Sequence, residues 1–172
     1  PGFMVAAALV DFSGTIIASA TPSGASGQLA PQGLAANTTY FLRLGAVWGD
    51  YVAVGGISAA TSTLAVPPAA FSPAFVEVHT ASMTVSWSAN TNPVNVATYT
   101  VTLSTSAGYP NTNAGNIVLA STKPFGAPQT ATLGLPATAA LSPNTTYFAF
   151  AATLNWNGVP SGYAALGSTA TL

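Results

Sequence analysis

The strings LAANTTY and LSPNTTY, at residues 34–40 and 141–147, are near copies that lie 107 positions apart (141 minus 34). A string that returns after about one domain length indicates two structural units of the same type. Between the copies, LAVPPAAFSP at residues 64–73 indicates a boundary, because paired prolines are excluded from central strands and stiffen linkers. The sequence therefore predicts two domains, residues 1–66 and residues 67–172.

Strand patterns dominate the chain, and no stretch shows helical periodicity with a capped start and a charged outer face. Short runs such as SMTVSW and YTVTL alternate apolar and polar residues, which is the period of a half-buried strand. Turn strings rich in Asn, Pro and Gly, such as GYPNTNAG and NWNGVPSG, separate these runs. Many short strands with frequent turns predict an all-β antiparallel sandwich.

The composition argues against several functional classes. Only 3% of the 172 residues are charged, against roughly 25% in an average soluble domain. Two basic residues, Arg43 and Lys123, are too few to neutralise phosphates, so we expect no nucleic-acid partner. No apolar run approaches the roughly 20 residues of a membrane-spanning helix. The absence of cysteine removes disulfides and thiolate chemistry. No leader is visible, and we expect a mature protein or a segment of a longer one.

Catalytic residue patterns are equally sparse. His79 is the one histidine, and it lies two residues from Glu77 in FVEVHT, a predicted first strand whose polar face explains both residues. One histidine without cysteine does not make a zinc site, and three scattered acidic residues do not make a calcium loop. The sequence therefore predicts a protein that is not an enzyme and holds neither metal nor cofactor.

The second copy of the repeated string resembles the fibronectin type III domain. LSPNTTY matches the family signature L-x-P-x-T-x-Y at Leu141, Pro143, Thr145 and Tyr147. Trp87 in TVSW falls at the family's second-strand tryptophan, and the resemblance spans residues 67–172. It implies an immunoglobulin-like sandwich in which Tyr147, and Tyr40 in the first copy, form a structural tyrosine corner by bonding to backbone across the E–F connection.

The first copy has too few residues before it for the same domain. Only 33 residues precede Leu34, and we assign FMVAAALVDF, GTIIASA and SGQLAPQ to strands C, C′ and E. Strands A and B have no counterpart, which predicts an incomplete domain followed by a complete one. The missing strands come either from a longer tandem array, which we favour, or from another copy by strand complementation.

Strand alternation also predicts an apolar outer face. If Tyr147 points inward, alternate residues of the same strand point outward. The predicted assembly interface comprises Phe148, Phe150 and Leu154 in the second unit, with Phe41 and Val47 in the first. The other interpretation is a register shift or bulge that turns the phenylalanines into the core.

Two tryptophans and two asparagines fit both a functional and a structural interpretation. Trp156 in NWNGVP and Trp48 in VWGDY are candidates for a platform that stacks on sugar rings or contacts a receptor, or else they pack on their own sheet. Asn37 and Asn144 begin N-x-T glycosylation sequons, although Asn and Thr are also favoured turn residues.

These observations together predict a non-enzymatic structural protein that is extracellular or at the cell surface. Its partner would be itself, through apolar sheet faces that build a filament or surface layer. The alternative is an adhesin, or a carbohydrate-binding accessory module of a larger secreted protein, with glycans as partners.

Overall fold

A computed structural model describes residues 4–10, 13–20, 28–48, 51–112, 115–124, 126–136 and 138–172. Within these ranges the backbone is described throughout, but the side chains of residues 4–9, 47–48, 51–52 and 54 are not. The chain divides into two compact units, Pro1–Thr63 and Leu64–Leu172. The second unit begins three positions before the predicted boundary at residue 67, and the division into an incomplete domain and a complete one stays a prediction.

Unit 1 contains one antiparallel sheet among its described residues. Its strands are β1 (Met4–Val10), β2 (Ile16–Ala20), β3 (Thr39–Trp48) and β4 (Tyr51–Ser62). They lie in the order β2-β1-β3-β4, and every neighbouring pair is antiparallel. Strands rich in Val, Ile, Leu and Ala form here because such side chains suit a pleated surface with one apolar face.

Unit 2 is a sandwich of two antiparallel sheets. Its strands are β5 (Ala69–Val78), β6 (Ser82–Ser88), β7 (Thr98–Ser104), β8 (Ile117–Thr122), β9 (Gln129–Gly134), β10 (Thr146–Leu154) and β11 (Ala164–Ala170). One sheet has the order β11-β10-β7-β8 and the other β5-β6-β9. The predicted all-β antiparallel sandwich is therefore confirmed.

The core of unit 2 lies between the two sheets, as the alternation in its sequence requires. Met83, Val85 and Trp87 of β6 are fully buried against alternate residues of β7 and β10. The rings of Trp87 and Tyr99 meet edge to face with centroids 5.3 Å apart. An aromatic pair of this geometry stabilises a core beyond its buried area.

The sheet of unit 1 has the same strand order as one of the two sheets of unit 2. The order β2-β1-β3-β4 matches β8-β7-β10-β11, which corresponds to strands C′, C, F and G. The described residues of unit 1 include no counterpart of the β5-β6-β9 sheet. The predicted strand E in SGQLAPQ is wrong where it is described, since residues 28–32 are irregular. A strand E needs a partner strand to take its backbone hydrogen bonds, and none is described beside it.

Candidate functional sites

Both copies of the repeated string build the same tyrosine hydrogen bond. The hydroxyl of Tyr40 accepts a hydrogen bond from the N–H of Ala35 at 3.0 Å. The hydroxyl of Tyr147 accepts one from the N–H of Ser142, also at 3.0 Å. Both tyrosines are buried, so each bond fixes the path of the chain that leads into β3 or β10.

The Asn-Thr-Thr segment makes the turn that precedes each tyrosine. Asn37 and Asn144 have φ values of 46° and 49°, in the left-handed region that asparagine tolerates better than most residues. The next residue, Thr38 or Thr145, donates its hydroxyl proton to the carbonyl two residues before it, at 2.9 Å in both copies. Each string thus satisfies its own backbone groups locally.

A threonine at the end of each unit completes the corner, and sequence reasoning missed it. The Oγ1 atom of Thr63 accepts from the N–H of Thr38 at 3.0 Å and donates to the carbonyl of Ala35 at 2.7 Å. The Oγ1 atom of Thr171 does the same with Thr145, at 3.0 Å, and with Ser142, at 2.6 Å. A second repeat signals this pair: TSTL at 61–64 and TATL at 169–172.

The two glycosylation sequons differ in accessibility. The side chain of Asn37 is only 2% exposed, whereas Asn144 lies at the surface. Glycosylation attaches a bulky, hydrated group that has to lie in solvent. The burial of Asn37 therefore makes it a poor acceptor. Asn144 remains a candidate acceptor.

The predicted outer face of β10 is present, but Phe150 is not exposed on it. Ala149 and Ala151 are fully buried in the core, which places Phe150 on the opposite side of the sheet. There its ring packs against Tyr109, with centroids 5.5 Å apart, and only 6% of Phe150 is accessible. The prediction that Phe150 is exposed is therefore wrong, because the connection between β7 and β8 covers it.

Tyr163 extends this aromatic cover. The ring of Tyr109 meets that of Tyr163 with centroids 5.4 Å apart, and the Tyr109 hydroxyl donates to the Tyr163 hydroxyl at 3.4 Å. Burial, with the hydrogen bond to Tyr109 as a smaller cause, raises the pKa of Tyr163 to about 12. The neutral form of the Tyr163 hydroxyl is therefore favoured beside these rings. Phe148 and Leu154 remain half-buried members of the predicted interface.

A register shift does occur on this strand, but it does not bury the phenylalanines in the core. The pairing of β10 with β11 shifts between Ala149 and Phe150, beside Gly167 at a φ of 133°. The pairing of β10 with β7 continues without a shift from Phe148 to Leu154. The bulge is therefore confined to the β11 side, and the inward and outward alternation of β10 is kept.

Unit 1 differs from a closed sandwich on its inner face, which we define as the side of β3 that carries Leu42 and Leu44. Leu42 and Leu44 correspond, at an offset of 107, to the fully buried Ala149 and Ala151. Leu44 is 41% exposed. On the other side of β3, Phe41 is half-buried, and the side chain of Val47 lies outside the described residues.

Of the tryptophan side chains that the structure describes, Trp156 is the exposed one. It is 54% accessible in the connection between β10 and β11, and the Lys123 Nζ atom lies 6.0 Å from its ring centroid. That distance is the outer limit of a cation–π contact. The Trp48 side chain lies outside the described residues.

The remaining chemical groups are dispersed. His79 follows the end of β5 instead of lying in it, and its Nε2 is 4.0 Å from a carboxylate oxygen of Glu77, with both side chains exposed. Among the described residues, no three His, Cys, Asp or Glu side chains lie together as metal ligands would. In the same part of the chain, no helix is long and apolar enough to cross a membrane.

Comparisons with known proteins identify the fold. No family model matches the chain, and no curated protein matches its sequence. A two-domain fibronectin type III segment of chicken tenascin superposes with a TM-score of 0.54 at 18% identity, over 98% of this chain and 84% of that one. The chain therefore has the fibronectin type III fold, an immunoglobulin-like β-sandwich, as its resemblance implied.

Two further structures match at lower TM-scores. The FN1–FN3 domains of chicken CNTN1 give 0.40 at 18% identity, over 98% of this chain and 55% of that one. The chicken interferon gamma receptor alpha chain gives 0.41 at 12% identity, over 100% and 87%. At these TM-scores neither similarity extends the conclusion about this chain.

Proposed function

We propose that this chain is a non-enzymatic extracellular structural protein whose β-sandwich units assemble into a filament or surface layer. The observation that carries the proposal is the exposed inner face of unit 1. Leu44 is 41% exposed at the position where unit 2 buries Ala151 completely. An apolar sheet face of this kind becomes stable when a second layer covers it.

The energy of covering that face favours association. Burying a leucine side chain completely contributes about 1.5–3 kcal/mol, so covering Leu44, which is 41% exposed, and the half-buried Leu42 would contribute part of that amount for each. The free energy of unfolding of a domain is only about 5–15 kcal/mol, so covering even one or two partly exposed leucines would change the stability of unit 1 noticeably. The covering layer comes from another copy or from a neighbouring repeat of a longer chain. Both sources give the protein a structural role.

The composition supports the same proposal. The net charge is −1, so copies of the chain do not repel one another strongly at long range. The chain contains two cations in all, Arg43 and Lys123, and we assign it no nucleic-acid partner. A location outside the cell or at its surface is part of the proposal, since tandem sandwiches that self-associate suit a layer or fibre.

Particle mass tests this proposal. We expect light scattering to show mass rising with protein concentration from micromolar to millimolar, because the apolar face buries itself in assemblies. Leu44→Asp should lower that mass by placing a charge on the inner face. Leu119→Asp is the matched control, because Leu119 is also exposed, at 52%, but lies on β8 of the complete sandwich. A wild-type chain that stays monomeric throughout would contradict the proposal.

A second candidate function rests on Trp156. Its exposed indole beside Lys123 supports an adhesin or a carbohydrate-binding accessory module with a glycan as partner. Aromatic faces stack on sugar rings, and a nearby ammonium favours acidic sugars. Glycan-array binding that disappears in Trp156→Ala but persists in Trp87→Phe would support this candidate. Equal binding by wild type and Trp156→Ala would exclude it.

A further inference from the structure

Strand β4 forms one edge of the sheet in unit 1. It is the last strand in the order β2-β1-β3-β4, and its 12 residues make it the longest strand described. Residues 55–61 are all exposed, and the strand YVAVGGISAATS contains neither proline nor any charged residue. An edge strand presents a row of backbone N–H and C=O groups to which another strand can pair.

The matching edge in unit 2 is covered by its own chain. Strand β5 pairs with β6, but that pairing is interrupted between Ala70 and Phe75, and β5 also packs beside β11. A Cβ atom added to Gly167 of β11 would lie 3.6 Å from a ring carbon of Phe75 and 3.8 Å from the Cβ of Ala74. In the described part of unit 1, no strand plays the part of β5 beside β4.

Edge strands β2, β5, β8 and β9 carry features that discourage pairing, and the remaining edge, β11, is the one that β5 packs beside. Strands β2, β8 and β9 have five, six and six residues, and Lys123 directly follows β8. Strand β5 contains Pro73 and Glu77. Short length, proline and charge are the usual means by which proteins prevent edge-to-edge association. Strand β4 has none of the three.

We propose that β4 pairs antiparallel with β4 of a second copy about a two-fold axis, so that the sheet of unit 1 continues across the interface. A second copy is the occupant because the strand is uncharged and can therefore lie beside itself without repulsion. A two-fold interface also satisfies the same backbone groups on both copies. The biological role of this contact rests on the proposed assembly function, but the contact uses the edge of the sheet and not its inner face.

The expected dimer is weak. Twelve residues at about 3.3 Å each give an edge roughly 40 Å long, and a sheet is about 10 Å thick, so each copy buries on the order of 400 Å². Stable interfaces bury about 800 Å² on each partner. Pairing of β4 alone should therefore appear as a concentration-dependent equilibrium, and a stable assembly needs the inner face as well.

Matched lysine variants test the edge. Ala60 of β4 pairs with Phe41, and Ser168 of β11 pairs with Phe148, so the two positions are equivalent in the two units. Sedimentation velocity should show a monomer–dimer equilibrium for the wild type and for Ser168→Lys. Ala60→Lys should weaken dimerisation at least tenfold, because it puts a charge on the pairing edge of each copy. Circular dichroism verifies that both variants are folded.

Single cysteines identify the partner strand, since the natural chain has none. Gly56→Cys, Ser58→Cys and Ala60→Cys are each treated with a mild oxidant. A Cβ at Gly56 would meet nothing within 4 Å, so that substitution is tolerated locally. If β4 pairs about a two-fold axis, only a residue near that axis lies opposite the same residue of the second copy. The yield of disulfide-linked dimer should therefore be highest for one of the three cysteine positions and lower for the others. Ser168→Cys should give no cross-linked dimer.

The outcomes separate this proposal from the proposed function. A chain that is monomeric at all concentrations overturns both. Association that Leu44→Asp weakens and Ala60→Lys leaves unchanged supports the inner face and overturns edge pairing. Association that Ala60→Lys weakens and Leu44→Asp leaves unchanged supports edge pairing and overturns the role of the face. Cross-linking as strong at residue 168 as along β4 also overturns edge pairing.

Discussion

The Tyr147 hydroxyl can be removed without changing the shape of the core, which allows its hydrogen bond to be measured. In Tyr147→Phe the N–H of Ser142 loses its acceptor at 3.0 Å. A hydrogen bond of this kind contributes about 0.5–1.5 kcal/mol net, and a donor left without a partner costs more. We expect the free energy of unfolding to fall by about 1.5 kcal/mol, because the ring stays buried and the bond alone is lost.

Tyr99→Phe is the matched control for this measurement. Tyr99 is also fully buried, but its hydroxyl has no hydrogen-bond partner among the described residues. Removing a buried hydroxyl that makes no bond removes a desolvation cost. We therefore expect Tyr99→Phe to leave stability unchanged or to raise it by up to about 1 kcal/mol. The same chemical change should thus destabilise the protein at Tyr147 and not at Tyr99.

Urea unfolding followed by the fluorescence of Trp87 gives the measurement. A background of Trp48→Phe and Trp156→Phe leaves Trp87, in the core of unit 2, as the one indole of the chain. With a slope of about 2 kcal/mol/M, a loss of 1.5 kcal/mol lowers the midpoint by about 0.75 M. Equal midpoint shifts in both tyrosine variants, or no shift in Tyr147→Phe, would refute the reasoning.

Three further predictions follow from the same contacts. Thr171→Ala should cost about 2 kcal/mol, because the hydrogen bonds that Oγ1 makes with Thr145 and Ser142 are lost, whereas Thr171→Ser should cost less than half as much in the same unfolding assay. Phe150→Ala should cost about 3 kcal/mol by leaving a cavity beneath Tyr109, and an unchanged midpoint would contradict the packing. Burial raises the pKa of Tyr99 to about 12 from 10.0, so the folded chain holds this proton more tightly than the unfolded one. Stability should then be level below about pH 10 and fall towards pH 12, and Tyr99→Phe should make the fall shallower.

Part of the fold was predictable because its signals are local. The alternation in SMTVSW and YTVTL placed Trp87 and Tyr99 on inward faces, and both are fully buried. Turn residues are local in the same way, since Asn37 and Asn144 adopt the left-handed conformation that their position in the repeated string indicates. Thr63 and Thr171 also have a sequence signal, the repeat TSTL and TATL. That signal is only four residues long, and its meaning becomes clear only from the hydrogen bonds that the two threonines make in the structure.

The wrong predictions concern contacts between residues distant in the chain. Phe150 does lie on the outer side of its strand, but Tyr109 covers it from 41 positions earlier. The predicted strand E, SGQLAPQ, is irregular over residues 28–32, because a strand requires a neighbour to take its backbone hydrogen bonds. Asn37 and Asn144 share a motif and a backbone conformation and still differ in exposure.

By itself the sequence determined the strand periods, the turns, the tyrosine corner and the presence of two related units. The strand periods and the turns follow from the chemistry of neighbouring residues, the two related units follow from the repeated string, and the tyrosine corner is what the family resemblance implies. The tertiary structure alone decided which apolar surfaces are covered and which edges have partners. Burial depends on the atoms that reach a side chain in space, and for β4, Leu44 and Phe150 those atoms belong to distant segments or, as we propose, to another copy.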